Sequence, residues 1–250
     1  MTLERPLGRV ALHGGGEFLA GDERFLGRLL EASLSRRHSS DRLVPVRVSI
    51  VPVAAARSMP GAAVAHGRSA FTRVARAAGL EIDTEAALVV DERSADDDMI
   101  GSRLESSDVI YLPGGDPDLV VGVLAGTRAW AAIRTAFARG AVIAGASAGA
   151  MGLASRTWTP AGWREGLGLV GGLIVVPHFA GFDREGWGGT VDELRGARLG
   201  QLGLDERTGV ISGIGGEDPW EVAGEASAHW FPASGEPMSG HDGDRLEFGG

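Results

Sequence analysis

Gly145-Ala146-Ser147-Ala148-Gly149 is the stretch of this chain best suited to covalent chemistry. It fits the pattern G-x-S-x-G, follows the apolar run Ala141–Ala144, and leads into small residues that suit the start of a helix (Ala150, Met151, Leu153, Ala154). A serine on such a strand-to-helix corner is pushed out at the top of a sheet, and the flanking glycines let strand and helix pass closely. The N–H of the next residue, Ala148, is then free to face a developing oxyanion. A glycine-rich corner of this kind can also cradle phosphate. The nucleotide-binding G-x-x-x-x-G-K-[ST] loop needs a lysine, however, and the chain has none.

A serine hydroxyl needs an adjacent base. Six histidines are available: His13, His38, His66, His178, His229 and His241. His178 stands out because it follows the apolar run Leu173–Val176 and Pro177, which restricts the backbone entering it. His13, at another strand end beside Gly14-Gly15-Gly16, reads as substrate-side or structural, and the other four read as surface residues. An acid should orient the imidazole and stabilise its cationic form. Glu165, Asp183, Asp205 and Glu206 are all candidates, and pattern alone does not rank them. A second strand-to-glycine turn, Tyr111-Leu112-Pro113-Gly114-Gly115-Asp116, offers another oxyanion donor at Gly115. Asp116 reads either as a substrate-binding residue or as a helix cap.

Stepping outward from these residues, short apolar runs alternate with helical spacing. Strands are expected at Val10–His13, Val44–Val53, Leu80–Val90, Asp108–Leu112, Ala141–Ala144, Leu173–Val176 and Val210–Ser212, with late strand character from Trp220 to Phe231. Helices are expected after Phe25, over Ala62–Ala78, Ala95–Leu104 and Leu119–Arg139 (broken at Gly126), and over Val191–Leu202. Residues after about 232 read as an edge hairpin or a loose tail. This alternation implies an α/β three-layer sandwich around a mostly parallel central sheet, in one domain spanning residues 1–250. Ligands of such sheets bind beyond the carboxyl ends of the strands, where the glycine turns and Pro177-His178 should converge.

Composition narrows the chemistry further. The 250 residues contain no cysteine, which excludes a disulfide framework, a thiolate metal site and a cysteine nucleophile. A net charge of −9 argues against a nucleic-acid or anionic-membrane surface. No apolar run reaches the ~18 residues of a membrane span. Residues 1–9 show no signal peptide, so a cytoplasmic location is expected.

Taken together, these blocks resemble the serine peptidase family that contains aspartyl dipeptidase and cyanophycinase. The matching pieces are Gly14-Gly15-Gly16-Glu17, Leu112-Pro113-Gly114-Gly115-Asp116, Ala144 to Ala150, Gly166-Leu167-Gly168-Leu169 running on to Pro177-His178-Phe179, and Leu202 to Thr208. The resemblance covers roughly residues 8 to 231. It implies a class-I glutamine-amidotransferase-like (flavodoxin-like) fold in which serine replaces the usual cysteine. It also implies Ser147 as nucleophile, His178 as base, Gly115 and Ala148 as oxyanion donors, and no metal or cofactor. For the acid it favours Glu206, with Glu165 as the alternative. Pro117 stands where cyanophycinase-like members carry glutamine after Gly-Gly-Asp, and only Arg184 follows His178-Phe179 closely, with Arg195 and Arg198 farther on. A small peptide or dipeptide, with Asp-containing ones as candidates, therefore suits the chain better than an arginine-rich polymer. Arg184 is the candidate for holding a substrate carboxylate, on a lid or specificity loop from Gly181 to Gly189. The expected partners are a small peptide substrate and, as an assembly, a homodimer. A non-catalytic small-molecule binder or sensor of the same fold is the competing reading. Glutamine-amidotransferase chemistry is disfavoured because it relies on a cysteine thiolate.

Overall fold

The computed structural model describes residues 8–35, 44–160, 162–181 and 197–248. Its central sheet has eight strands. Five run parallel: β1 (Arg9–His13), β2 (Val46–Ile50), β3 (Ile82–Ala86), β4 (Val109–Leu112) and β5 (Val142–Ala146). Three more, β10 (Thr208–Ile211), β11 (Trp220–Gly224) and β14 (Arg245–Leu246), extend it antiparallel beyond β1. The order across the sheet is β14-β11-β10-β1-β5-β4-β2-β3. The inner strands are buried on both faces, which is why Val-Ile-Tyr-Leu in β4 reads as a continuous apolar run.

Side-chain alternation divides the core in two. Ala11, Val109, Tyr111, Val142 and Ala144 face α1 (Glu23–Leu34) and α2 (Pro60–Ala78), packing on Phe25, Leu29, Phe71 and Val74. Val10, Leu12, Ile110, Leu112 and Ile143 face the other way. There they meet α5 (Pro117–Leu124), α6 (Arg128–Arg139) and α7 (Ala148–Leu153), with α3 (Glu92–Ala95) and α4 (Asp98–Glu105) alongside. The helix ends follow local rules. Pro60 opens α2 and Gly79 closes it in the left-handed region, at φ 67°. Thr127 caps α6 just after Gly126 (φ 77°) has broken the helical run, as its sequence predicts. No single described helix is long and apolar enough to cross a membrane; the bent pair α5 and α6, which passes by length and composition together, is packed into the core.

A four-stranded second sheet holds β8 (Leu173–Val176), β9 (Gly200–Leu204), β12 (Ala228–Phe231) and β13 (Met238–Gly240) in the order β13-β12-β9-β8. β6 (Arg156–Thr159) and β7 (Gly162–Glu165) form a separate hairpin. Leu173, Val175, Leu202, Leu204 and Trp230 of the second sheet join the same apolar cluster as Leu12 and Ile143 of the central sheet. One expected helix is corrected here, and one expected stretch of strand is borne out. The helix expected over Val191–Leu202 ends in strand: Gly200–Leu204 pairs with both β8 and β12, while residues 191–196 lie outside the described residues. The late strand character from Trp220 to Phe231 is two strands in two different sheets.

The region after residue 232 is a packed edge, with β13 and β14 on different sheets. Leu246 is buried, and the Phe248 ring stacks on Trp220 with centroids 5.1 Å apart and meets Trp230 at 4.7 Å. Phe248→Ala is expected to cost about 3 kcal/mol in urea denaturation, whereas a loose tail would show no change. Tyr111, the chain's one tyrosine, is fully buried. Burial first, then the charges of Asp22 and Glu17, holds its hydroxyl well above the ordinary 10.0. The native state therefore keeps a proton that the unfolded chain loses near pH 10, so this contribution to stability is present below that pH and is lost as pH rises further. In an alkaline titration, phenolate absorbance should appear only together with unfolding.

Candidate active site

The glycine turn that ends β1 is the frame of the site. The His13 carbonyl accepts the Ser147 N–H at 2.9 Å, the Gly14 carbonyl accepts the His178 N–H at 2.8 Å, and the Gly15 carbonyl accepts the Arg207 N–H at 2.7 Å. Three successive carbonyls thus hold three segments that are far apart in sequence. Ser147 lies at the carboxyl end of β5, beside β1. His178 lies just beyond β8, in the second sheet. Glu206 lies on the turn where the chain passes from β9 in the second sheet to β10 in the central sheet.

The serine corner has the predicted form. Ser147 takes φ 48° and ψ −115°, a sparsely populated conformation for a residue with a side chain. A Cβ on Gly149 would run into the Leu112 carbonyl, and one on Gly145 would stand 2.5 Å from the Gly149 carbonyl carbon, so strand and helix approach this closely only because both are glycine. Ala148 opens α7, where an N–H has no intrahelical acceptor.

Ser147 Oγ lies 3.1 Å from His178 Nε2, and His178 Nδ1 lies 2.8 Å from Glu206 Oε1. A carboxylate only accepts, so Nδ1 carries the proton and Nε2 is left to accept from the serine hydroxyl. The His178 and Glu206 side chains are 45% and 52% exposed, so the chain of hydrogen bonds is open to solvent on one side. His178 itself sits at φ 52°. Of the three candidate acids among the described residues, Glu206 is the one bonded to His178. Glu165 is exposed in β7, paired in register with Arg156. Asp205 is buried and accepts the Ser227 N–H at 3.2 Å. Asp183 and Arg184 lie outside the described residues, as does the lid stretch beyond Gly181.

Gly115, at φ 148°, has room for no side chain against the Ala54 backbone, and a Cβ on Gly114 would lie 3.1 Å from the Ser147 Cβ. Asp116 caps α5, accepting the Asp118 N–H at 2.9 Å, with its second oxygen 3.8 Å from Arg57. Of its two readings, the capping one is what the geometry displays.

His13 resolves to the structural side of its expectation. It is fully buried, with Nε2 3.0 Å from the equally buried Asp22, and its Nδ1 accepts the Gly15 N–H at 3.3 Å. Asp22 was not legible as its partner, because an acid just before a helix reads as a cap. His229 is not the surface residue expected. It lies on Phe179, centroids 4.8 Å apart, with Nε2 3.5 Å from Asp205. His66 and His241 are exposed, and His38 lies outside the described residues. Among the described residues no group of acidic and histidine side chains could hold a metal ion.

Gly15 is the contact on which the histidine depends. A Cβ there would stand 2.7 Å from His178 Nε2 and closer still to Cε1, on a backbone with φ 109°. Gly15→Ala should leave the protein folded by circular dichroism but push the ring off the serine. A displacement of about 1 Å predicts a fall of about 100-fold in kcat; an unchanged rate would mean that the ring is positioned from elsewhere.

Comparison with known proteins bears on the family and the fold. The model of peptidase family S51 matches residues 45–195, more than half of the chain. No curated protein sequence matches. Among solved structures, a peptidase from an acI-B1 Actinobacterium superposes with a TM-score of 0.78 at 24% identity, covering 98% of each chain. A Listeria monocytogenes EGD-e protein assigned as a peptidase E superposes with a TM-score of 0.57 at 16% identity, over 88% of this chain and 100% of the other. At such identities the two structures speak for the fold, and it is the family match that classifies the sequence: the chain belongs to peptidase family S51.

Proposed function

We propose that this chain is a serine peptidase that hydrolyses small peptides or dipeptides, Asp-containing ones among them, through an acyl-enzyme on Ser147. The observation that carries the reading is the continuous hydrogen-bond chain from Ser147 Oγ through the His178 ring to Glu206. In this reading the Ser147 hydroxyl attacks a peptide carbonyl as its proton passes to His178 Nε2. Glu206 holds the Nδ1 proton and stabilises the imidazolium. The N–H groups of Gly115 and Ala148 receive the oxyanion. Collapse breaks the C–N bond, and the leaving amine takes the proton from Nε2. Water then enters, gives a proton to Nε2 and releases the acid, which restores Ser147. These steps call for no metal or cofactor. Arg184 remains the candidate to hold a substrate carboxylate, and Asp116 could act at the substrate side only through the oxygen that faces Arg57.

Two further features support the reading. The parallel strands lie in the order β3-β2-β4-β5-β1, so that β2 to β5 follow the 2-1-3-4 part of the flavodoxin-like order while the chain's first strand takes the flank where that order has its fifth; this partial match favours the class-I glutamine-amidotransferase-like assignment. The 3.1 Å contact between serine and histidine also favours the catalytic reading over a purely binding or sensing domain. A cytoplasmic peptidase acting on small peptides is the corresponding role in the cell.

A fluorophosphonate probe should label the protein at Ser147, with peptide mass mapping as the readout, and Ser147→Ala should abolish both labelling and hydrolysis of an Asp-X dipeptide panel. Glu206→Gln should keep the fold and lower kcat by about 100- to 10,000-fold, because the ring loses its orienting carboxylate. Labelling that persists in Ser147→Ala would remove the serine from the mechanism.

A further inference from the structure

His229 touches the neighbours of both the base and the acid without belonging to that pair. Its ring lies on Phe179, the residue after His178, with centroids 4.8 Å apart. Its Nε2 lies 3.5 Å from Oδ2 of Asp205, the residue before Glu206. Its Nδ1 is 2.9 Å from Oγ of Ser239, its register partner in β13, and this third contact fixes which way the ring faces. A carboxylate only accepts, so the Nε2–H faces Asp205 and Nδ1 of the neutral ring is left to accept from the Ser239 hydroxyl. Asp205 is itself tied down, since the same oxygen accepts the Ser227 N–H at 3.2 Å. Phe179 rests against Gly203, where any Cβ would run into its ring, and Gly203 is the register partner of His229 in β9.

Shelter separates the two histidine–carboxylate contacts. The His178 and Glu206 side chains are 45% and 52% exposed, and a pair so open to water holds its own geometry weakly. The His229 and Asp205 side chains are 23% and 10% exposed, so their attraction acts in a drier place and is less screened. The glycine turn holds the base segment at His178 and the acid segment at Arg207. His229 adds a second hold on each, at Phe179 and at Asp205, so that Glu206 is fixed through both of its chain neighbours. We propose that His229 is a positioning residue that keeps His178 Nδ1 on Glu206 by tying the residue after the base to the residue before the acid. The proposal rests on the serine peptidase reading above and adds to it a sheltered contact that keeps the exposed one closed.

The test follows the rate at which a fluorophosphonate probe labels Ser147, a reaction that needs no knowledge of the substrate. His229→Phe keeps a ring on Phe179 and removes both nitrogens. It should retain the circular dichroism of the wild type and label about 10-fold more slowly, short of the roughly 100-fold that a 1 Å misplacement costs. Asp205→Asn keeps an acceptor for the Ser227 N–H, removes the charge and should slow labelling by a similar factor; it carries the comparison alone if His229→Phe does not fold. Coupling to the acid is the deciding readout. In a Glu206→Gln background the carboxylate to be positioned is already gone, so adding either change should slow labelling by less than about twofold. A residue that merely supports the second sheet would cost the same factor in both backgrounds, and that result would overturn the proposal. So would labelling of His229→Phe at the wild-type rate, which would leave the Asp205 contact idle. If the wild type is not labelled at Ser147, the peptidase reading itself falls, and this role for His229 falls with it.

Discussion

The carbonyls of His13, Gly14 and Gly15 leave the end of β1 in three successive directions, and each takes an N–H from a different part of the chain: Ser147, His178 and Arg207. The hydroxyl, the imidazole and the carboxylate of the site come from β5, from β8 and from the β9–β10 turn, elements that belong to two sheets. Their mutual distances are therefore only as fixed as the turn that binds all three backbones. The turn in turn rests on buried groups. The Gly15 N–H is held by His13, which packs on the Phe25 ring with centroids 4.5 Å apart and contacts Asp22. Reactive geometry at the surface thus descends into a polar pair with no exposure at all.

This arrangement carries backbone strain. Ser147 and His178 both take positive φ without being glycine, at a cost of about 1–3 kcal/mol each. Such conformations persist only where their surroundings over-determine them. Around Ser147 that role falls to the all-buried strand β5 and to the glycine contacts at positions 145 and 149, and around His178 to the Gly14 bond and the Phe179 ring. Phe179 is clamped between His229 and Phe231, while Gly203 beneath it leaves no room for a side chain. The second sheet therefore serves as the mount of the histidine.

The parts of this design that were legible in the sequence are those written locally. A serine flanked by glycines after an apolar run, and a histidine after proline at the end of another, declare their positions through neighbours one to five residues away. Glu206 was legible only through the family resemblance, because four carboxylates fitted the pattern and the choice depends on where the β9–β10 turn lands. The second sheet was hidden for a related reason. Gly200–Leu204 carries two glycines, and leucines at 199, 202 and 204 fit a helix as readily as a strand, so only its pairing with β8 and β12 decides between them. His229 looked like a surface residue because its two partners, Phe179 and Asp205, are 50 and 24 positions away. Glu17 was visible as part of a motif, but the link by which its Oε1 accepts the Gly114 N–H at 2.6 Å spans 97 residues and appears only in three dimensions.

The central claim is that one turn brings Ser147, His178, Glu206 and two backbone donors onto a single reacting atom. A crystal structure of the covalent phosphonate adduct tests it most directly. The account predicts phosphorus bonded to Ser147 Oγ, a phosphoryl oxygen held between the N–H groups of Gly115 and Ala148, and His178 still joined to Glu206 with Nε2 facing the phosphorus substituents. An adduct on any other residue, or a phosphoryl oxygen turned away from both donors while the glycine turn stays intact, would contradict it.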